Sequence, residues 1–464
     1  MLGHIYRAYF RGVLIRRQAN SNGHDDDNMI IRSLSRIPLS PPKCYRVAAS
    51  CRLRSYYSTN TYYDEDVPPF PDPAAVDIEA LRRKLISRVP RMTWDVMHPT
   101  NSHLLNLALA GVIPKRYQFS HFRLPDGSRD TTDLDEPLSQ NDVDIAAWFL
   151  GKGPEDSYRL PPGHHFVYFP LQLAANALCP DGTDPFPSPG GPWTRRLWAG
   201  GALSNLDGNM LRLRGGPAVC AEHIESVTAL GLPGREKIFV EIVREYHDGS
   251  SFLRQWRPRG ERKPIVERRR LVFMRGQSAE EALEEERTRA VADHRSGQTL
   301  RIKPPTFTVT ITPTQTLLFQ YSALSHNAHH LHLDRERTLK TEGHRNLLVH
   351  GPLSVTLILA IVGARKRVAN MTYRHLAPLY VDERMKICVR RQKRKPPPGT
   401  GKEEEEGEEE KEEEWNWDAP LPEHPTNKLE IWDVWIENLY GTLCVRGVVE
   451  TSGDRAASPL QSLQ

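Results

Sequence analysis

The feature that most constrains this chain is its longest apolar run, residues 353–364. It falls well short of the roughly 20 residues that span a bilayer, so it reads as a buried helix extending to about Lys366. A helix apolar on nearly every face must be enclosed by other elements. Residues 306–311 alternate as a strand, and residues 367–374, 383–391, 429–439 and 443–450 are further strand candidates. The resulting class is α+β, with antiparallel strands wrapped on a central helix.

Upstream, a proline-rich stretch at residues 67–73 precedes an amphipathic helix at 75–88, with Val76, Leu81 and Leu85 on one side. Residues 220–230, 236–246 and 265–275 read as strands, and the Arg-rich segment 248–264 as a hairpin insertion. Trp198-Ala-Gly-Gly201 opens a strand-like region, and His164 and His165 read as structural partners of Phe166 and Tyr168. Residues 278–292 form a charged helix with little apolar face, suited to a linker. The expected organisation is a first folded unit at 75–277, a helical linker at 278–303 and a second, catalytic unit at 304–452, interrupted by an acidic insertion at 394–420.

The formal charge of +4 conceals local asymmetry. Residues 402–414 carry ten Glu and two Lys, read as a solvated loop, whereas residues 1–63 carry ten Arg or Lys against three Asp. The remainder carries only about +5, which argues against a nucleic-acid surface. The basic, Ser-rich and locally acid-free stretch 29–63 has the make-up of a mitochondrial presequence, so residues 1–63 are expected to direct the chain to the matrix. The acidic triplet Asp25 to Asp27 raises Met29 as an alternative start, and a plain basic arm is the bland alternative. None of the six cysteines forms a CxxC pair, and no disulfide framework or transmembrane segment is expected.

The chemistry concentrates in Tyr321-Ser-Ala-Leu-Ser-His-Asn-Ala-His-His-Leu-His-Leu-Asp334 and the following Leu348-Val-His-Gly-Pro-Leu353. The first block resembles the segment Ser-Gly-Asp-x-Asn-Pro-x-His of (R)-specific enoyl-thioester hydratases of the MaoC type, and the second resembles their His-Gly helix start. The resemblance is closer to the branch of mitochondrial 3-hydroxyacyl-thioester dehydratase type 2 and mesaconyl-CoA hydratase. That branch carries Tyr-Ser-Ala-Leu-Thr-x-Asn-x-His-x-Ile-His and a Trp-Ala-Gly-Gly block; here Ser325 replaces the Thr and Leu331 the Ile. The resemblance implies a double hotdog, two antiparallel sheets each wrapped on a central helix in one chain. It also implies a hydro-lyase acting on an acyl thioester. In the broader pattern the ionisable Asp falls on Asn327, the Asn on His329 and the His on His332.

Dehydration of a 3-hydroxyacyl thioester needs a base for the C2 hydrogen, an acid for the departing hydroxyl and charge stabilisation at the thioester oxygen. His332 is the leading acid/base, expected to titrate near its ordinary pKa of ~6.5. Asn327 would position the hydroxyl or a water, with His329 assisting. Gly351, at the helix N-terminus with Pro352 in the first turn, would offer its N–H to the oxyanion. Tyr321 and Ser325 support the site, and His350 shapes the helix start. No dissociable cofactor is required.

Several readings stand beside this one. The histidines at 326, 329, 330 and 332 have zinc-compatible spacings, but no Cys or acidic cluster completes a site, and no metal is expected. Arg365, Lys366 and Arg367 could meet a phosphopantetheine phosphate or serve as helix C-terminal cations. The favoured function is dehydration of (3R)-3-hydroxyacyl groups on acyl carrier protein in mitochondrial fatty-acid synthesis. A hydratase of enoyl-CoA or mesaconyl-CoA type is the first alternative, and a non-catalytic thioester-binding hotdog subunit the second. Coenzyme A against carrier protein, and the oligomeric state, are left open.

Overall fold

A computed structural model describes residues 77–114, 117, 158–209, 211–249, 264–296, 304–392 and 429–454. The presequence region, Met29, Val76, the proline-rich stretch 67–73, most of the 248–264 insertion, residues 297–303 of the linker and the acidic insertion 394–420 lie outside them.

The chain opens with α1 (Ile78–Ile86), capped by the Asp77 side chain and burying Leu81 and Leu85 against the sheet. Then come β1 (Arg91–Val96) and α2 (Pro99–Ala110), whose proline stands in the first turn. A short 3-10 turn at His164–Val167 leads to β2 (Arg195–Ser204), β3 (Pro217–Leu230), β4 (Lys237–Asp248) and β5 (Ile265–Met274). The charged helix α3 (Ala279–Ser296) follows.

The second half repeats the plan. It runs β6 (Phe307–Ile311), α4 (Gln315–Ser325), a 3-10 turn at His330–His332, α5 (Arg335–Glu342), α6 (Gly351–Gly363), β7 (Lys366–His375), β8 (Met385–Arg391), β9 (Glu430–Glu437) and β10 (Leu443–Asp454). Strand order in the first half is β1-β3-β4-β5-β2 and in the second β6-β8-β9-β10-β7, the same topology twice. Every pairing is antiparallel. This is the double hotdog.

The expected two sheets are joined into one of ten strands, because β2 and β7 pair at the centre from Gly200↔Arg374 to Leu203↔Met371. The second half carries a central helix. Residues 353–363 of α6 are all buried, and Leu353, Leu357, Ile358 and Ile361 belong to one buried cluster with residues of β7 to β10. In the first half, the described residues between α2 and β2 hold 3-10 turns at His164–Val167 and Ala175–Ala177. The helix read to Lys366 ends at Gly363; Lys366 opens β7, buried against Glu430 at 2.9 Å and the Trp432 ring, so it is not free to meet a phosphate. No helix of the described residues is long and apolar enough to cross a membrane.

Candidate active site

α4 ends where His326 takes a left-handed conformation (φ 51°), its N–H returning to the carbonyls of Ala323 and Ser322. The chain then doubles back. The Asn327 N–H donates to the Ser322 carbonyl at 2.9 Å, and the Asn327 Oδ1 accepts the His329 N–H at 3.0 Å. With its oxygen held, the Asn327 amide nitrogen is the end left to donate to a ligand. The 3-10 turn that follows buries His330, Leu331 and His332, with Leu331 anchored beside Leu348 and Tyr380.

His332 Nδ1 lies 2.8 Å from the Leu348 carbonyl. A carbonyl only accepts, so Nδ1 carries the hydrogen, and Nε2 keeps its lone pair with no protein partner among the described residues. The ring stacks on His350 at 3.6 Å between centroids. Burial drives the His332 pKa down to about 4, against the raising effect of the Leu348 bond. The expectation of titration near 6.5 is therefore corrected: the imidazole is neutral throughout the neutral range because water is excluded from it. Burial, followed by the neighbouring His332, Arg196, His330 and His350, likewise lowers His329 well below its ordinary value.

Asn327, His329, His332, Tyr321, Ser325 and Gly351 all line one cavity of about 550 Å³. His350 does not line it; it stands at the start of α6 and pairs through Nε2 with Ser322 Oγ at 2.8 Å, supporting His332 from behind. Tyr321 is buried, its hydroxyl 3.4 Å from Thr356 Oγ1, and Ser325 Oγ donates to the Tyr321 carbonyl at 2.6 Å. Gly351 is the first residue of α6, where an amide has no acceptor within the helix. A Cβ there would sit 2.9 Å from the Trp198 Cβ, so only glycine admits both the indole and a ligand at this amide.

Four contributors were not read from the sequence as site residues. Asp181, on a turn of the first half, lies 3.7 Å from His329 Nε2 and 3.4 Å from Arg196 Nε. That turn sits hard against the histidine loop, since a Cβ on Gly182 (φ 80°) would lie 2.1 Å from the Ala328 oxygen. The fourth, His375 at the end of β7, lines the cavity, is pushed down to about 4 by burial and meets Ser354 Oγ at 2.9 Å. None carries a local signal, because each reaches the site through tertiary contact. Trp198, read as packing or channel shape, does both: it lines the cavity, and its Nε1–H donates to the Tyr373 hydroxyl at 3.2 Å. His164 and His165 are fully buried and do not line the cavity; His164 Nδ1 meets Ser102 Oγ at 2.5 Å. Among the described residues no group of three or more His, Cys, Asp and Glu is arranged to hold a metal ion.

Comparison with known proteins bears on this geometry directly. The family model of hydroxyacyl-thioester dehydratase type 2 matches residues 163–381, from the 3-10 turn of the first half through the histidine loop, α6 and β7. That match spans just under half of the chain. The mitochondrial hydroxyacyl-thioester dehydratase type 2 of Schizosaccharomyces pombe is 28% identical over 244 residues, covering 50% of this chain and 77% of that protein. The mesaconyl-C(4)-CoA hydratase of Chloroflexus aurantiacus is 37% identical over 75 residues, 16% of this chain and 27% of that protein. Among solved structures, a MaoC-like dehydratase from Phytophthora capsici aligns with a TM-score of 0.45 and 12% identity over 80% of this chain and 99% of its own. The family and the hydro-lyase class read from residues 321–353 are thus borne out.

Proposed function

We propose that the chain dehydrates (3R)-3-hydroxyacyl thioesters to trans-2-enoyl thioesters, with acyl carrier protein as the carrier, in fatty-acid synthesis of the mitochondrial matrix. The observation that carries the chemistry is the tautomer of His332, whose pinned Nδ1–H leaves a neutral, lone-pair Nε2 at a cavity shared with the Gly351 amide. Nε2 takes the C2 hydrogen while the helix-start N–H of Gly351 receives the charge growing on the thioester oxygen. The C3–O bond breaks as the imidazolium returns the same proton to the hydroxyl, so one water leaves and the ring is neutral again. The Asn327 amide holds the hydroxyl in place, and His329, backed by Asp181, assists.

The carrier and compartment rest on the basic composition of residues 1–63 and the likeness to a mitochondrial relative. Hydration of a short enoyl-CoA of the mesaconyl type would use the same residues in reverse. It is favoured by one observation, the charged side chains on the first-half wall of the cavity. A thioester-binding subunit without catalysis is the remaining reading, motivated by Asn in place of Asp at 327. The test is loss of the conjugated double bond on adding purified protein to crotonyl-CoA, longer enoyl-CoAs and the corresponding carrier-bound thioesters. Turnover on at least one is expected, and inertness toward all would leave the binding subunit.

A further inference from the structure

His330 follows His329 and precedes His332 in the 3-10 turn, yet it does not line the cavity. It is gripped from behind instead. The His330 N–H donates to the Asp181 carbonyl at 3.2 Å, its Nδ1 lies 3.4 Å from the same oxygen, and its Nε2 faces Glu342 Oε1 at 3.6 Å. Glu342, the last residue of α5, gives its other oxygen to Arg195 Nε at 2.9 Å. Arg195, the first residue of β2, reaches Glu285 of α3 through Nη2 at 3.1 Å, and the second Glu285 oxygen accepts Arg289 Nη2 at 2.8 Å. A chain of polar contacts therefore runs from α3 through β2 and α5 to the histidine loop.

The helix at the start of that chain reads from the sequence as a linker, but it is firmly seated. Ala282 is fully buried, and a Cβ on Gly343 (φ 63°) would lie 2.2 Å from the Ala282 oxygen, so glycine is what lets α3 and the end of α5 meet. Arg289 Nη1 donates to the Gly343 carbonyl at 2.6 Å and to His344 Nδ1 at 2.8 Å. Arg195, His330, Glu342 and His344 are all buried, and desolvation offsets most of what such ion pairs contribute to stability. Their geometry bears on the reaction at the other end. Asp181, whose carbonyl His330 grips, holds its carboxylate 3.7 Å from His329 Nε2.

We propose that α3 is a brace for the histidine loop and that Glu342 is a positioning residue: by holding His330 it fixes the Asp181 turn, and with it the ring of His329. The inference rests on the reading of His329 and His332 as groups at the reacting end. Reacting side chains keep a productive geometry only when the residues behind them are locked. The brace ties that lock to both halves, since Arg195 belongs to the first and Glu342 to the second.

Amide hydrogen exchange and steady-state kinetics on Glu342→Ala, Glu342→Gln, Glu285→Ala and Arg287→Ala test this. Arg287 pairs with Glu284 on the exposed side of the same helix and is the control. In Glu342→Ala the amides of residues 328–333 should exchange about tenfold faster, while those of α6 and β8 to β10 keep their wild-type rates. On the best enoyl thioester kcat should fall about tenfold with KM within about twofold, since a misplacement of about 1 Å can cost a hundredfold. Glu285→Ala should move exchange and kcat the same way by less. Glu342→Gln, whose amide oxygen can still accept from Arg195, should retain more kcat than Glu342→Ala, and Arg287→Ala should change neither. Unchanged exchange at 328–333 in Glu342→Ala, exchange raised equally in every strand, or a wild-type kcat with a loosened loop would overturn the proposal. Should Glu342→Ala not fold, Glu285→Ala against Arg287→Ala decides. Faster exchange confined to the loop, in a protein inert toward every enoyl thioester, would support the brace while removing the hydro-lyase reading.

Discussion

The two halves share a strand order and differ in what faces the middle. Across the second half a registered row reads Val309, Ile387, Ile436 and Val445, every one of them buried in the core that encloses α6. Across the first half a registered row reads Arg91, Glu222, Arg244 and Glu267. An apolar face requires a helix to cover it; a charged face requires partners and water. The start of α6 supplies the amide at Gly351. On the proposed mechanism the reacting groups lie on the second half and the facing wall on the first.

The contrast predicts that the halves fail differently. Arg244→Met, which strips Glu222 and Glu267 of a shared buried cation, should lower unfolding free energy by about 3–5 kcal/mol in denaturant titration. Leu357→Ala, which opens a void inside α6, should cost about 2–5 kcal/mol by the same measurement. If the charged row proved as replaceable as a surface ion pair, the contrast would lose its energetic basis. A smaller effect separates the halves more sharply. Each buries a Ser–His pair, Ser102 with His164 and Ser322 with His350. Ser→Ala at either should cost about 1–3 kcal/mol in stability. Turnover should fall only for Ser322→Ala, because His350 is the ring stacked under His332. An equal loss of kcat in both variants would erase the division of labour.

The pH dependence follows from burial. For His332 the neutral ring is the competent base, and its depressed pKa keeps it neutral down to about 4. The kcat/KM of the free enzyme should therefore hold as pH falls from 8 through 6.5 and decline only toward 4; an acid limb centred at 6.5 would contradict it. Stability follows the sign of any group whose pKa is lowered on folding, because the unfolded chain binds the proton first. His165, His332 and His375, all driven to about 4 by burial, contribute nothing above 6.5 and a growing penalty as pH drops from 6.5 toward 4. The Tm should fall across that window. Asn327→Asp is the subtlest change: the Oδ1 that receives the His329 N–H survives, activity is kept or raised, and the added carboxylate should move the acid limb upward by favouring imidazolium.

Legibility in the sequence tracked how local each cause is. Strands alternate residue by residue, so β3, β4, β5 and β7 to β10 were readable within a few positions of their ends, as was the apolar α6. Helices α2 and α4 were not, because each buries residues on more than one side, Leu317 and Leu318 next to Tyr321 and Ser322 in α4, and so lacks a clean stripe. Asn327, His329, His332 and Gly351 were legible because one contiguous segment carries them. Asp181, Arg196 and His375 come from remote turns and strands, and the charged row exists only through register: Arg91, Glu222, Arg244 and Glu267 are each more than twenty positions apart. The depressed pKa of His332 was invisible for the same reason, since burial is made by the whole fold.

The central claim is that a neutral His332 moves the proton. It is tested most directly by comparing wild type and His332→Ala on the best enoyl thioester, with circular dichroism and thermal unfolding run on the same samples. A folded variant whose kcat/KM has fallen by about a thousandfold or more, within the range general acid/base catalysis supplies, is the predicted result. A folded variant retaining turnover near wild type would contradict it.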